Sequence, residues 1–116
     1  MQRTSLILRW LYKNYWALEY PCIIAGWVVP AGFITDLATI PVVIRIILPQ
    51  SGPWSRAAVL HDYIYHTPTI DMTRKDCDDL FYYVMEQDHV TAWRRYAAYI
   101  AVRLFGSLFW SKRWPH

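Results

Sequence analysis

The sequence contains only two cysteines, Cys22 and Cys77. Two are too few for a disulfide framework, so we expect both to be reduced, structural thiols. No apolar run reaches the roughly 18 to 20 residues that a membrane-spanning helix needs, and Arg103 interrupts the nearest candidate, 96–110. The first apolar run is too short for a secretory signal, because Arg9 breaks it. We therefore expect a soluble protein or one that is peripheral to a membrane.

Charged residues are also scarce, at 18% of the chain, whereas 55% of the residues are hydrophobic and 17% are aromatic. This composition argues against disorder and predicts a partly apolar surface, available to a partner protein, a membrane or an oligomer. The net charge of +3 is too small to favour nucleic acid as a partner without a concentrated basic patch. The length of 116 residues suits a single domain, which we predict to be mainly β over 1–41 and mainly helical over 42–116.

The N-terminal third consists of short β-type runs separated by proline and glycine, and it predicts a small antiparallel sheet of two or three strands. These runs are 16–20, 22–25, 27–29 and 33–36, whereas the pattern of 1–14 suits a strand or a short helix. The apolar segment 42–48 suggests core packing. Three helices are predicted to follow, one leading from Pro53 to His66, one at about 72–87 and one from Thr91. The predicted fold class is thus α+β, a small sheet followed by three helices.

Helical periodicity places His61 near the middle of the apolar face of the first helix and Asp62 at its border. A titratable ring in a core needs a partner, because burial otherwise destabilises its charged form. The second helix offers Asp78 on the flank of its apolar face, within reach of a neighbouring helix. An isolated His-Asp pair of this kind suits either a structural core histidine or a polar site.

The third helix is predicted to face the core with one stripe of residues, namely Trp93, Tyr96, Ala97, Ile100, Ala101 and Leu104. The tail that follows mixes aromatic and cationic residues over 107–116. Such a tail is typical of a membrane interface, of a nucleic-acid surface or of a terminal segment docked on its own domain. We also consider an oligomer formed through it.

Two motifs, His61-Asp62-x-x-Tyr65 and Cys77-Asp78-Asp79-x-Phe81, resemble the paired antiparallel active-site helices of the phospholipase A2 superfamily. The resemblance implies that His61 is the general base that deprotonates water and that Asp78 orients its ring. It also implies that Tyr65 braces the pair and that Asp62 is the side-chain ligand of a calcium ion, which would stabilise an ester oxyanion. The glycine-rich calcium loop of that superfamily has no clear counterpart in this sequence.

A second resemblance covers nearly the whole chain and is to a family of small phage and prophage proteins of unassigned function. Its motifs occur here in one order: Val29-Pro30-x-Gly32-Phe33-x-Thr35-Asp36-Leu37-Ala38-x-Ile40-Pro41, Ala58-Val59-Leu60-His61-Asp62-x-x-Tyr65, and then Arg74, Asp78 and Phe81. The resemblance implies a phage or prophage origin, with the protein in the host cytoplasm or in the particle. If Asp36 approaches Asp62 in space, it would supply the carboxylate that a calcium loop otherwise provides.

Two functional hypotheses follow. The first is a metal-assisted hydrolase of phospholipase A2-like type that acts on membrane lipid or another ester. The second is a non-catalytic phage structural or assembly protein that binds another phage protein and whose His-Asp cluster only ties helices together. A zinc or HD-type phosphohydrolase is disfavoured, because it needs a histidine upstream of His61, which is the first in the chain, and because His66 is predicted to point elsewhere.

Overall fold

The computed structural model describes residues 6–12, 15–35 and 53–110, together with the backbone but not the side chain of Phe109. The predicted metal ligand Asp36 and the apolar segment 42–48 lie outside the described residues. Within them, the α+β class predicted from the sequence is confirmed, with short antiparallel strands first and then three helices, followed by a fourth helix of four residues.

Two small antiparallel sheets take the place of the single predicted sheet. The strands are β1 (Leu8–Tyr12), β2 (Tyr15–Leu18), β3 (Cys22–Ile24), β4 (Trp27–Val29) and β5 (Ile34–Thr35). One sheet has the order β1-β2-β5, with Leu8 opposite Leu18 and Trp16 opposite Thr35. This register fixes the position of Thr35, whose hydroxyl reaches the helices.

The second sheet is the hairpin β3-β4, in which Cys22 lies opposite Val29 and Ile24 lies opposite Trp27. Its turn residues Ala25 and Gly26 have φ angles of 50° and 85°. Positive φ at both central positions matches the right-handed twist of the strands, and glycine meets that demand without steric cost.

The helices are α1 (Ser55–Tyr65), α2 (Arg74–Gln87), α3 (Ala92–Phe105) and the short α4 (Ser107–Trp110). The hydroxyl of Thr73 caps α2 by accepting a hydrogen bond from the backbone N–H of Asp76 at 3.1 Å. Helix α1 ends before Pro68, as expected, because proline disfavours helical geometry in the residue that precedes it.

Helices α1 and α2 run antiparallel. Arg56 near the start of α1 lies 3.2 Å from Asp88 just after α2, whereas His61 in the middle of α1 contacts Asp78 near the start of α2. Arg56 also donates to the carbonyl of Ile23 at 3.3 Å and so joins α1 to the β3-β4 hairpin. Buried residues of both helices and of the hairpin form the core, among them Ile24, Val29, Leu60, Ile64, Phe81 and Met85.

The predicted inner stripe of α3 is wrong for most of its members. Its large residues are exposed, and their exposed fractions are 62% for Trp93, 61% for Tyr96, 48% for Ile100 and 67% for Leu104. The buried residues of α3 are instead Ala98, Ala101 and Val102. These small side chains allow α3 to approach α2 closely. Polar contacts between the two helices, described below, require that approach and determine which face of α3 is turned toward the core.

Within the described ranges, no helix combines the length and the apolar character that crossing a membrane requires.

Replacing Gly106 with alanine is expected to destabilise the fold by about 1–3 kcal/mol through overpacking. An added Cβ would collide with the hydroxyl of Tyr65 and the carbonyl of Val102, and it would lie 2.9 Å from the guanidinium of Arg74. The backbone at Gly106 is right-handed helical, so alanine causes no backbone strain there and would otherwise stabilise the protein.

Urea unfolding followed by circular dichroism measures this difference. Ser107→Ala, at the neighbouring exposed position, is the matched control and should leave the unfolding midpoint nearly unchanged. A Gly106→Ala protein as stable as the wild type would show that this packing is looser than described.

Candidate active site

The carboxylate of Asp78 lies at the centre of the site, on α2, and its side chain is fully buried. Its Oδ1 accepts a hydrogen bond from the hydroxyl of Tyr65 at 2.7 Å and lies 2.7 Å from Nε2 of His61. His61 and Tyr65 are one turn apart on α1, so both present their side chains to the same point of α2. The predicted hydrogen bond between His61 and Asp78 is therefore confirmed.

The other oxygen of Asp78 faces two arginines. Arg103 of α3 donates to Oδ2 at 2.8 Å, and Arg74, one turn before Asp78 on α2, donates at 3.4 Å. Arg74 also donates to the carbonyls of Val102 and Arg103 at 3.0 and 3.3 Å. These carbonyls lie near the C-terminus of α3, where a cation is favoured by the helix dipole. One buried carboxylate thus connects α1, α2 and α3.

The ring of His61 has one defined orientation. An ionised carboxylate has no hydrogen to donate, so Nε2 is the donor in the contact with Asp78. The rings of Tyr65 and Phe81 lie against it, with centroids at 4.2 and 4.7 Å. No described residue hydrogen-bonds to Nδ1, which is the acceptor nitrogen when the ring is neutral. A carboxylate-held imidazole with one bare nitrogen is the arrangement of a general base, although the residue is only 3% exposed.

Tyr65 acts as a hydrogen-bond donor in this cluster. Burial, and next the negative charge of Asp78, raise the pKa of the phenol well above its ordinary value of 10.0. The hydroxyl therefore stays protonated across the physiological range and holds Asp78 in place. The indole of Trp110 packs edge-on against the ring, with centroids 4.9 Å apart.

Asp62 is buried, with 2% of its surface exposed. The sequence placed it at the border of the apolar face, so it is more deeply buried than predicted. Its Oδ2 accepts a hydrogen bond from the hydroxyl of Thr35 at 2.7 Å, which explains how the core accommodates it. Its Oδ1 lies 3.1 Å from Nε2 of His66, which is four residues later and directly follows α1. His66 was predicted to point elsewhere than His61, and its contact with Asp62 was not anticipated.

The donors that the structure describes around Asp62 fit calcium poorly. Calcium takes six to eight oxygen ligands, whereas here one carboxylate oxygen is already engaged by Thr35 and the next donor is an imidazole nitrogen. Asp36, the other predicted ligand, lies outside the described residues, so its pairing with Asp62 stays a prediction. Imidazole and carboxylate together suit transition-metal dications better.

A second set of possible metal ligands comprises His61, Cys77 and Asp78, whose donor atoms all lie within 4.8 Å of one another. Two ligands of one tetrahedral zinc ion, each at about 2.0 Å, would be about 3.3 Å apart. The 2.7 Å between Nε2 of His61 and Oδ1 of Asp78 is instead a hydrogen-bond distance. As arranged, this cluster is held by hydrogen bonds.

Sequence reasoning missed the contacts of four residues in this site. Two of these contacts could have been predicted from sequence spacing. Arg74 precedes Asp78 by four residues and His66 follows Asp62 by four, the spacing at which side chains of one helix meet. Arg103 and Thr35 come from a different helix and from a strand, so only the tertiary fold brings them to the site.

The chain matches a protein family model and a curated relative. A family model described as "Protein of unknown function (DUF1353)" matches residues 14–102 of the chain. The uncharacterized protein y4jT of Sinorhizobium fredii is similar, being 37% identical over 82 residues. That match takes in 69% of this chain but only 24% of the relative, so the chain spans about a quarter of that protein's length. No solved structure matches.

Replacing Asp78 with asparagine is expected to lower the free energy of unfolding by about 3 kcal/mol, because it leaves Arg74 and Arg103 partly buried beside a neutral group. An amide also cannot accept from all four surrounding donors.

Urea unfolding again measures the loss, and Asp71→Asn, which replaces an exposed aspartate just before α2, is the control. Asp71 makes no hydrogen bond or ion pair with another helix among the described residues, so its replacement should cost far less. Equal losses in the two variants would show that Asp78 does not organise the helices.

Proposed function

The chain belongs to the DUF1353 family, whose function is unknown, and on the geometry of its site we propose that it is a metal-assisted hydrolase of phospholipase A2-like type. Its substrates would be membrane lipids or other esters, and His61 would be the general base. The observation that carries the proposal is the pair of 2.7 Å contacts that Asp78 makes with His61 and Tyr65. His61, Tyr65 and Asp78 are three of the four residues to which the resemblance to phospholipase A2 assigns a role, and Asp62 is the fourth.

In the proposed reaction, Nδ1 of His61 accepts a proton from a water molecule, and the resulting hydroxide attacks the ester carbonyl. Asp78 holds the ring through Nε2, so the bare nitrogen keeps one direction, and Tyr65 holds Asp78. His61 then returns the proton to the leaving alkoxide. A divalent cation beside Asp62 would supply positive charge for the oxyanion. Calcium, with Asp36 as a further ligand, is the cation that the sequence resemblance suggests.

The proposal includes a phage or prophage origin for the protein. The ordered set of motifs that resembles phage and prophage proteins supports a place in the infected host or in the particle. The apolar surface of α3 supports contact with a membrane, at which a lipid hydrolase would meet its substrate.

A second candidate is a non-catalytic phage assembly protein, and two observations favour it. Asp78 and His61 are nearly closed to solvent, as suits a cluster that only ties helices together. Helix α3 is also apolar on two sides, one against the core and one exposed, and a helix of that kind needs a second partner. Another phage protein, or a second copy joined through α3 and the aromatic tail, would cover the exposed side.

Hydrolysis assays separate the two candidates. We expect the wild type to hydrolyse phospholipid vesicles or short-chain esters when calcium, zinc or manganese is supplied. His61→Gln should lose about 10²–10⁴-fold in rate, because the proton acceptor is gone.

His89→Asn replaces an exposed histidine outside the site and is the control, expected to keep full activity. A folded wild type that is inactive with every metal and substrate, or a His61→Gln protein that stays active, would contradict the hydrolase proposal. The first result would favour the assembly protein.

A further inference from the structure

Asp62 and His66 form a pair at the end of α1 that the proposed reaction does not use directly. They are four residues apart, and Oδ1 of Asp62 lies 3.1 Å from Nε2 of His66. The two side chains differ in access, since that of Asp62 is 3% exposed and that of His66 is 28% exposed. The pair therefore reaches from the core to the surface, with the imidazole on the outer side.

The two oxygens of Asp62 are in different situations. Oδ2 accepts a hydrogen bond from Thr35 at 2.7 Å. Oδ1 is buried, and His66 is close to it but not aligned as a hydrogen-bond donor, so among the described residues Oδ1 has no such donor. A buried carboxylate oxygen without a donor is unfavourable unless a positive group compensates it.

We propose that Asp62 and His66 bind a transition-metal dication such as zinc or manganese. Two ligands on one metal, each at about 2.1 Å, are about 3.0 Å apart in octahedral and about 3.4 Å apart in tetrahedral coordination. The observed 3.1 Å falls within that range, unlike the 2.7 Å of the His61–Asp78 contact. A metal there would supply the positive charge that Oδ1 lacks.

The donor chemistry selects the class of metal. Imidazole nitrogen is a good ligand for zinc, manganese, cobalt or nickel and a poor one for calcium, which takes oxygen ligands. Two protein donors leave the remaining coordination positions to water or substrate, and the partial exposure of His66 allows both to enter. The inference rests on the proposed function, since it names the cation of the same site, but binding is measured apart from activity.

Isothermal titration of the tag-free full chain with Zn²⁺, Mn²⁺ and Ca²⁺ tests the site. We expect one Zn²⁺ or Mn²⁺ per chain, with Ca²⁺ at least about tenfold weaker. His66→Asn and Asp62→Asn should each weaken binding at least tenfold, the scale of loss seen when groups that support a metal site are changed. His89→Asn is the matched control and should bind like the wild type.

Cobalt spectroscopy distinguishes this site from the other set of possible ligands. Co²⁺ bound by Asp62 and His66 should give visible d–d bands without a near-ultraviolet thiolate charge-transfer band, and His66→Asn should abolish the d–d bands. A thiolate band that disappears in Cys77→Ala would place the metal with His61, Cys77 and Asp78 instead.

Besides such a thiolate band, three titration results would overturn the inference: no dication binding at neutral pH, binding that both site variants leave unchanged, or preferential binding of Ca²⁺. The first would leave His66 as an ionic partner that satisfies Oδ1 when protonated. If the metal binds as expected but no ester is hydrolysed, the site stands and the proposed hydrolase activity fails.

Discussion

The helical part of this protein depends on a buried carboxylate that accepts hydrogen bonds from three helices. Asp78 takes them from His61 and Tyr65 of α1, from Arg74 of its own helix and from Arg103 of α3. A buried charge is tolerated only when it is paired and hydrogen-bonded, and every donor around Asp78 therefore has to be in place at once. This requirement fixes the rotation of each helix about its axis and, as a consequence, the direction of the His61 ring.

The same requirement explains which parts of the fold the sequence predicts well. Periodicity places His61 and Asp78 on or beside the apolar faces of their helices. The contact between them was implied by the resemblance of the two motifs to paired active-site helices, and the structure has that contact. The rotation of α3 does not follow from periodicity, because that helix is apolar on both sides. Hydrophobicity alone favours burying Trp93 and Ile100, whereas the structure buries Ala98 and Val102. Arg103, directed at Asp78, and Tyr99, which donates to Asp79 at 2.6 Å, select the other face.

Asp62 illustrates a second limit of sequence reasoning. Helical geometry places it at a border and says nothing of Thr35, whose hydroxyl comes from a strand 27 residues earlier and makes burial of the carboxylate possible. The contact with His66 was open to prediction from its four-residue spacing. Two adjacent residues of α1, His61 and Asp62, thus belong to two different acid–imidazole pairs, one with Asp78 of α2 and one with His66 just after α1. The first is held within the core by hydrogen bonds, and the second lies at the edge of the core, with its Oδ1 and Nε2 atoms 3.1 Å apart.

The proposed role of His61 as a general base requires a neutral ring that donates through Nε2 and keeps Nδ1 bare. Long-range ¹H–¹⁵N correlation spectra of the ring nitrogens at neutral pH, with His61 assigned by its loss in His61→Gln, measure this directly. We expect a protonated Nε2 and an unprotonated Nδ1, as this role requires. A ring protonated on both nitrogens, or one that carries its proton on Nδ1 alone, would contradict it and leave the cluster with a purely structural role.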